Sequence, residues 1–173
     1  TASMLAGRPD PIPGRGRSAA DELRQPRPGG GNPSRNEGMP PDDADLVTFY
    51  DRVGGAPTFA ALMAGFFEQV RADPLVGPIY PAHDWAGAET RLRLYYEQFW
   101  GGPPGYSRTR GAPMLKMRHM AYTISPGVAA AWVACMDRAV DGLGLPEADA
   151  EELRAYAVRA ASYLVNADDP AGA

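Results

Sequence analysis

The chain has 173 residues, enough for one domain with a tail, and 45% of them are hydrophobic against 22% charged. A net charge of -4 and a pI near 5.2 give no electrostatic support to a nucleic-acid or membrane-surface role. The single cysteine, Cys135, excludes an internal disulfide and any multi-cysteine zinc or iron–sulfur site; without a visible secretory signal or a membrane-length apolar run, a soluble cytoplasmic protein is expected.

Residues 1–41 hold eight prolines, seven glycines and no aromatic residue. So little apolar surface cannot offset the entropy of ordering, so a disordered extension is expected over 1–41 and a folded domain over 42–168. Asp42 and Asp43 suit the cap of a first helix stopped by Gly54-Gly55. Pro57 opens a second, with Phe59, Leu62, Met63, Phe66, Phe67 and Val70 on one stripe. A short irregular link from Pro74 to Pro81 contains Tyr80. Asp84 then opens a third helix carrying Trp85, Ala88, Leu92, Tyr95, Tyr96 and Phe99 inward, and Gly101-Gly102-Pro103-Pro104-Gly105 stops it. Residues 101–113 read as a mobile loop unless something packs beneath it, followed by a short turn to His119. Ser125-Pro126 starts the most periodic helix, with Val128, Ala131, Trp132, Cys135, Met136, Ala139, Val140 and Leu143 inward. Pro146-Glu147 begins the last, with Leu153, Tyr156, Ala157, Ala160, Leu164 and Val165 inward, and residues 169–173 form a flexible tail that frays together with Asp168. The pattern is all-α.

Chemistry-bearing candidates are few. Cys135 lies on an inward stripe and reads as an inert small hydrophobe. His83 falls in a turn and reads as solvated. No Ser/His/Asp or Cys/His arrangement is visible, and the prolines of the 101–105 segment remove the N–H donors that a phosphate cradle requires. His119 has two readings: a surface or satisfied core histidine, or a metal ligand. As a ligand it has no histidine or cysteine partner nearby, so the other ligands must come from outside the protein. Haem brings four nitrogens and asks for one axial ligand. The aromatic residues first read as core, but the indole N–H of Trp132 and the phenol of Tyr80 each want a partner, in a backbone carbonyl or in a bound ligand.

Several blocks occur in a recognisable order: Phe49-Tyr50-Asp51-Arg52-Val53-Gly54-Gly55, Tyr80-Pro81, Ala86-Gly87-Ala88-Glu89, Tyr96-Glu97-Gln98-Phe99-Trp100-Gly101-Gly102-Pro103, Met117-Arg118-His119, Ile124-Ser125, Trp132 and Leu164-Val165-Asn166. On these, residues 49–166 resemble the group II truncated haemoglobins, globins with a two-over-two helical sandwich around haem. The resemblance implies haem b, with His119 as proximal iron ligand and Trp132 and Tyr80 as the distal hydrogen-bond donors. It places Ala88 where larger globins carry a distal histidine, continues the pocket through Leu92 and Tyr95, and adds Leu115. Arg91 and Arg118 are placed to meet the haem propionates, the alternative being a solvated helix face. One departure stands out: the family's distal tyrosine in the second helix falls on Phe67.

The resemblance implies reversible binding of O2, NO and CO, with nitric oxide dioxygenation or peroxide reduction as the leading activity. Turnover then needs an external reductase, since the sequence shows no flavin or nicotinamide site. A simple oxygen carrier or a gas sensor is the alternative, the sensor disfavoured because no output domain follows residue 166. A monomer or homodimer is expected. With Phe67 in place of tyrosine, the resemblance implies faster oxygen release or autoxidation.

Overall fold

The computed structural model describes residues 47–170, so the expected disorder of residues 1–41 and the caps at Asp42 and Asp43 lie outside the described residues. Helices α1 (Phe49–Arg52), α2 (Ala56–Ala72), α3 (Trp85–Phe99), α4 (Gly105–Arg110), α5 (Leu115–His119), α6 (Pro126–Asp141) and α7 (Glu147–Leu164) follow in order, with a 3-10 turn at Gly77–Ile79. No strand occurs among the described residues. The helix packing is a two-over-two sandwich: α2 lies on α3, α6 on α7, and α2 on α6 joins the pairs.

Each long helix forms where its sequence supplies both a start and an apolar stripe. Pro57 occupies the first turn of α2, and all six of its predicted inward residues are at most 1% exposed. Ser125 caps α6 by accepting from the Val128 N–H at 3.4 Å, and α6 buries Ala129, Cys135, Met136, Ala139 and Val140. Trp132 lies half-buried beside this stripe. Pro146 opens α7, which buries Leu153, Tyr156, Ala157 and Ala160.

The glycine pairs do two different jobs. Gly54 and Gly55 adopt φ of +101° and +66°, a left-handed turn that lets the Gly55 N–H reach back to Tyr50 O at 2.8 Å. Gly101 and Gly102 admit α1 to the end of α3: a β-carbon on Gly101 would lie 2.7 Å from the Thr48 side chain, and one on Gly102 2.7 Å from the Tyr50 ring. The Tyr50 N–H then bonds Trp100 O at 3.0 Å, fixing α1 to α3.

Two expectations change. The stretch 101–113 is not simply a loop, because α4 forms within it. Tyr106 is buried against Tyr95, and the Gln98 amide both donates to Ser107 Oγ at 2.7 Å and accepts from the Ser107 N–H at 2.8 Å. At the other end Asp169, expected to fray, accepts from the Gly127 N–H at 2.9 Å.

Candidate functional site

Helices α3, α5, α6 and α7 enclose a cavity of about 280 Å³, closed on one side by the 3-10 turn and α4. It gathers Tyr80, Ala88, Arg91, Leu92, Tyr95, Leu115, Arg118, His119 and Trp132 into its lining. Phe67 is the one candidate not in that lining. Its ring stands edge-on to Tyr80 at 5.2 Å and to Trp85 at 6.2 Å, fully buried behind the phenol. His83 is exposed, and Cys135 is wholly buried with its thiol pushed up by desolvation.

His119 ends the short helix α5. Its Nδ1 lies 2.7 Å from Leu115 O, and a carbonyl can only accept, so Nδ1 carries the proton. That leaves the Nε2 lone pair unspent on a side chain that lines the cavity. Two anchors hold the helix. Arg118 donates through Nε to Pro113 O at 2.9 Å and through Nη2 to Arg110 O at 2.8 Å and Ala112 O at 3.4 Å, drawing in the preceding turn. Asn166 fastens the following one: it donates to Tyr122 O at 2.9 Å and His119 O at 3.4 Å and accepts from the Ile124 N–H at 2.9 Å.

Elsewhere in the lining, the indole N–H of Trp132 donates to the Tyr80 hydroxyl at 3.1 Å. Desolvation pushes the Tyr80 phenol up to about 12, the Trp132 hydrogen bond opposing it, so Tyr80 keeps its proton throughout the neutral range. The Tyr95 and Tyr156 hydroxyls bond each other at 2.7 Å, and desolvation raises both. Arg91 at the rim pairs with Asp84 at 2.7 Å, while the guanidinium of Arg110 makes no hydrogen bond or ion pair among the described residues.

Sequence reading passed over Tyr96, Tyr106, Arg110, Tyr122 and Tyr156 as lining residues. The available signal was the tyrosines themselves: six of the chain's eight face this one cavity. Among the described residues no cluster of three or more histidine, cysteine or carboxylate side chains stands ready to hold a bare metal ion, and no helix is long and apolar enough to cross a membrane.

The donor set fits haem. It offers one imidazole nitrogen with its proton fixed on the other side of the ring, a largely apolar slot, cationic side chains at the rim, and an indole–phenol pair.

Comparison with known proteins agrees with that fit. A family model for bacterial-like globins matches residues 48–165. The group 2 truncated hemoglobin YjbI of Bacillus subtilis is 34% identical over 112 residues, covering 65% of this chain and 84% of that protein. Among solved structures, the thermostable hemoglobin of the actinobacterium Thermobifida fusca is 47% identical with a TM-score of 0.67, covering 69% of this chain and 97% of its own. The group II truncated hemoglobin of Bacillus anthracis is 29% identical with a TM-score of 0.70, covering 74% and 98%. The Bacillus subtilis truncated haemoglobin described as oxygen-avid is 33% identical with a TM-score of 0.65, covering 69% and 99%. The chain therefore belongs to the bacterial-like globin family and, within it, to the group II truncated haemoglobins.

Proposed function

We propose that this globin holds haem b with His119 as axial ligand, binds O2, NO and CO reversibly, and carries out nitric oxide dioxygenation or peroxide reduction with electrons from an external reductase. The observation that supports this most is the His119–Leu115 hydrogen bond at 2.7 Å, which leaves a ring nitrogen free for iron inside the cavity. When bound, haem supplies a redox-active iron with one position open to a diatomic ligand. The Leu115 carbonyl fixes the orientation and tautomer of the imidazole that would hold the iron.

Tyr80 and Trp132 act in series. With its N–H given to the phenol oxygen, Trp132 polarises Tyr80, whose own hydrogen remains available for an acceptor in the cavity. A phenol raised to about 12 donates a hydrogen bond without releasing its proton, which stabilises negative charge developing on a small ligand. Ala88 offers no imidazole and leaves room for the guest. Arg110 and Arg91 would meet the propionates at the rim, while Arg118, committed to three carbonyls, braces the helix that carries His119.

Stopped-flow mixing of the reduced, oxygen-saturated protein with nitric oxide, alongside a plain oxygen off-rate, tests the reading. Rapid conversion to ferric protein with nitrate produced in equal amount supports dioxygenation. Slow conversion with slow oxygen release favours storage or transport instead.

A further inference from the structure

The chain carries 21 aspartates and glutamates, yet none lies between Glu97 and Asp137. That stretch holds four cationic side chains instead, Arg108, Arg110, Lys116 and Arg118. Every ion pair among the described residues uses an arginine from elsewhere. Arg118 is committed to backbone carbonyls and Arg110 stands at the cavity rim. Arg108 and Lys116 are exposed, and the only neighbour that takes up either charge is the Tyr163 ring, 4.4 Å below the Lys116 ammonium. A protein of net charge -4 thus keeps one segment of uncompensated positive charge.

The same segment exposes apolar surface. Of the seven large hydrophobic side chains exposed among the described residues, four fall between positions 114 and 122: Met114, Met117, Met120 and Tyr122. Leu115 and His119 turn toward the cavity, so Met117 stands on the opposite side of α5, 55% exposed. Arg118 ties Arg110 O and Pro113 O to this helix, which joins the cations of α4 to the methionines of α5. A single exposed apolar residue needs no explanation, but a cluster marks an interaction surface. Interfaces favour methionine and arginine, and a flexible thioether repacks against partners of different shape.

Charge complementarity says what sits there. An apolar centre with positive edges, on an otherwise acidic protein, selects an acidic protein partner. A lipid surface is held by clusters of roughly four to eight cations, and here only Arg108 and Lys116 are free of other duties. Tyr122 belongs both to this face and to the cavity lining, and His119 ends the helix that carries Met117. A partner seated here therefore stands against the wall of the cavity.

We propose that this face docks an acidic one-electron carrier protein that supplies the reducing equivalent for turnover. The inference rests on the proposed haem chemistry, for which it names the class of donor and its seat. The step is the transfer of one electron: the donor is oxidised by one, ferric haem iron is reduced to ferrous, and no bond or proton moves.

A plant-type ferredoxin, an acidic protein with a low-potential [2Fe–2S] cluster, serves as the probe. In the full chain carrying methyl-13C methionine, oxidised ferredoxin should shift or broaden the Met114, Met117 and Met120 signals and leave buried Met63 and Met136 in place. At low ionic strength, reduced ferredoxin should reduce the ferric protein about tenfold faster than an Arg108→Glu/Lys116→Glu variant, and added salt should erase the difference. Photoreduced lumiflavin, a small uncharged donor that needs no docking face, should reduce both at the same rate. Replacing Met117 and Met120 by glutamine should weaken ferredoxin binding about fivefold and leave its salt dependence unchanged. Unmoved methionine signals, equal ferredoxin rates, or a variant slowed as much toward lumiflavin each overturn the proposal. So does binding to phosphatidylserine vesicles in place of ferredoxin, or a dimer that the charge reversal abolishes, since either assigns the face to another occupant. Lack of a Soret band defeats the haem reading alone, and the methionine spectra then still decide whether the face docks an acidic protein.

Discussion

Tyr80 and Trp132 face the same cavity, yet the indole N–H is spent on the phenol oxygen, so a ligand meets one polarised donor rather than two independent ones. Tyr80→Phe therefore does double damage. It removes the donor and leaves the indole N–H of half-buried Trp132 without its partner, which should lower folding stability by about 1 kcal/mol and speed oxygen release about fivefold. Urea unfolding and an oxygen off-rate measure the two effects. Phe67 packs edge-on behind Tyr80, so Phe67→Tyr adds a hydroxyl next to the donor already present. Oxygen release should slow about fivefold if that hydroxyl joins the network, as one neutral hydrogen bond allows. An unchanged off-rate would show that Tyr80 and Trp132 already satisfy the ligand. His119, Tyr80 and Trp132 were legible in the sequence because each stands within a block of characteristic order. Tyr96 and Arg110 were not. A tyrosine on an inward stripe reads as core, an arginine in a glycine- and proline-rich stretch reads as solvated, and only the folded chain turns both toward one cavity.

Legibility at the scale of elements follows the same physics. Helices α2, α6 and α7 announce themselves through proline starts, through the Ser125 cap on α6, and through long stripes that tertiary packing rewards. Helices α4 and α5 span six and five residues, too few for periodicity to register, and neither has a side-chain cap. Met114, which precedes α5, even sits at φ 43°, a left-handed conformation costly for a side chain of this kind. Order in this segment comes from α3, through Tyr106 on Tyr95 and Gln98 on Ser107, and from the ties of Arg118 to three carbonyls within it. Arg118→Ala should accordingly lose about 1–2 kcal/mol of stability, since a partly exposed guanidinium gives up bonds to carbonyls that can turn to water. It should also speed haem loss to a scavenging apoglobin. Loss of stability with unchanged haem retention would show that Arg118 braces the turn but not the histidine.

Across the whole molecule, ion pairs lie on the outer surface. Arg52 reaches from α1 to Asp149 and Glu152 on α7, each at 2.8 Å, and Arg154 on α7 pairs with Glu147 of its own helix and with Asp141 at the end of α6. Such exposed pairs contribute little singly. The Asp84–Arg91 pair matters more for where it sits, at the cavity rim. The hydrogen bond from Arg91 is the main cause that lowers the Asp84 carboxyl below its usual 3.8. A depressed carboxyl contributes stability that is present above its unfolded value and is lost as pH falls through its folded value. Thermal unfolding of Asp84→Asn should thus show a deficit at neutral pH that closes as the pH drops below 3.8. A gap that stays constant through that range would mean the pair is broken in solution.

Asn166 also sets a date in the life of the polypeptide. The turn after His119 is tied down by a residue 47 positions later in the chain, beyond the end of α7. A ribosome delivers α2 and α3 long before that residue, and these two can pair while synthesis continues. His119, by contrast, keeps an unfastened neighbour until α7 and the three side-chain hydrogen bonds of Asn166 are in place. A nascent chain halted within α7 would own every cavity-lining residue up to that point and still lack the tie on the turn that follows His119. Under the proposed haem reading, a chain truncated before Asn166 should therefore retain the cofactor less well than the full chain.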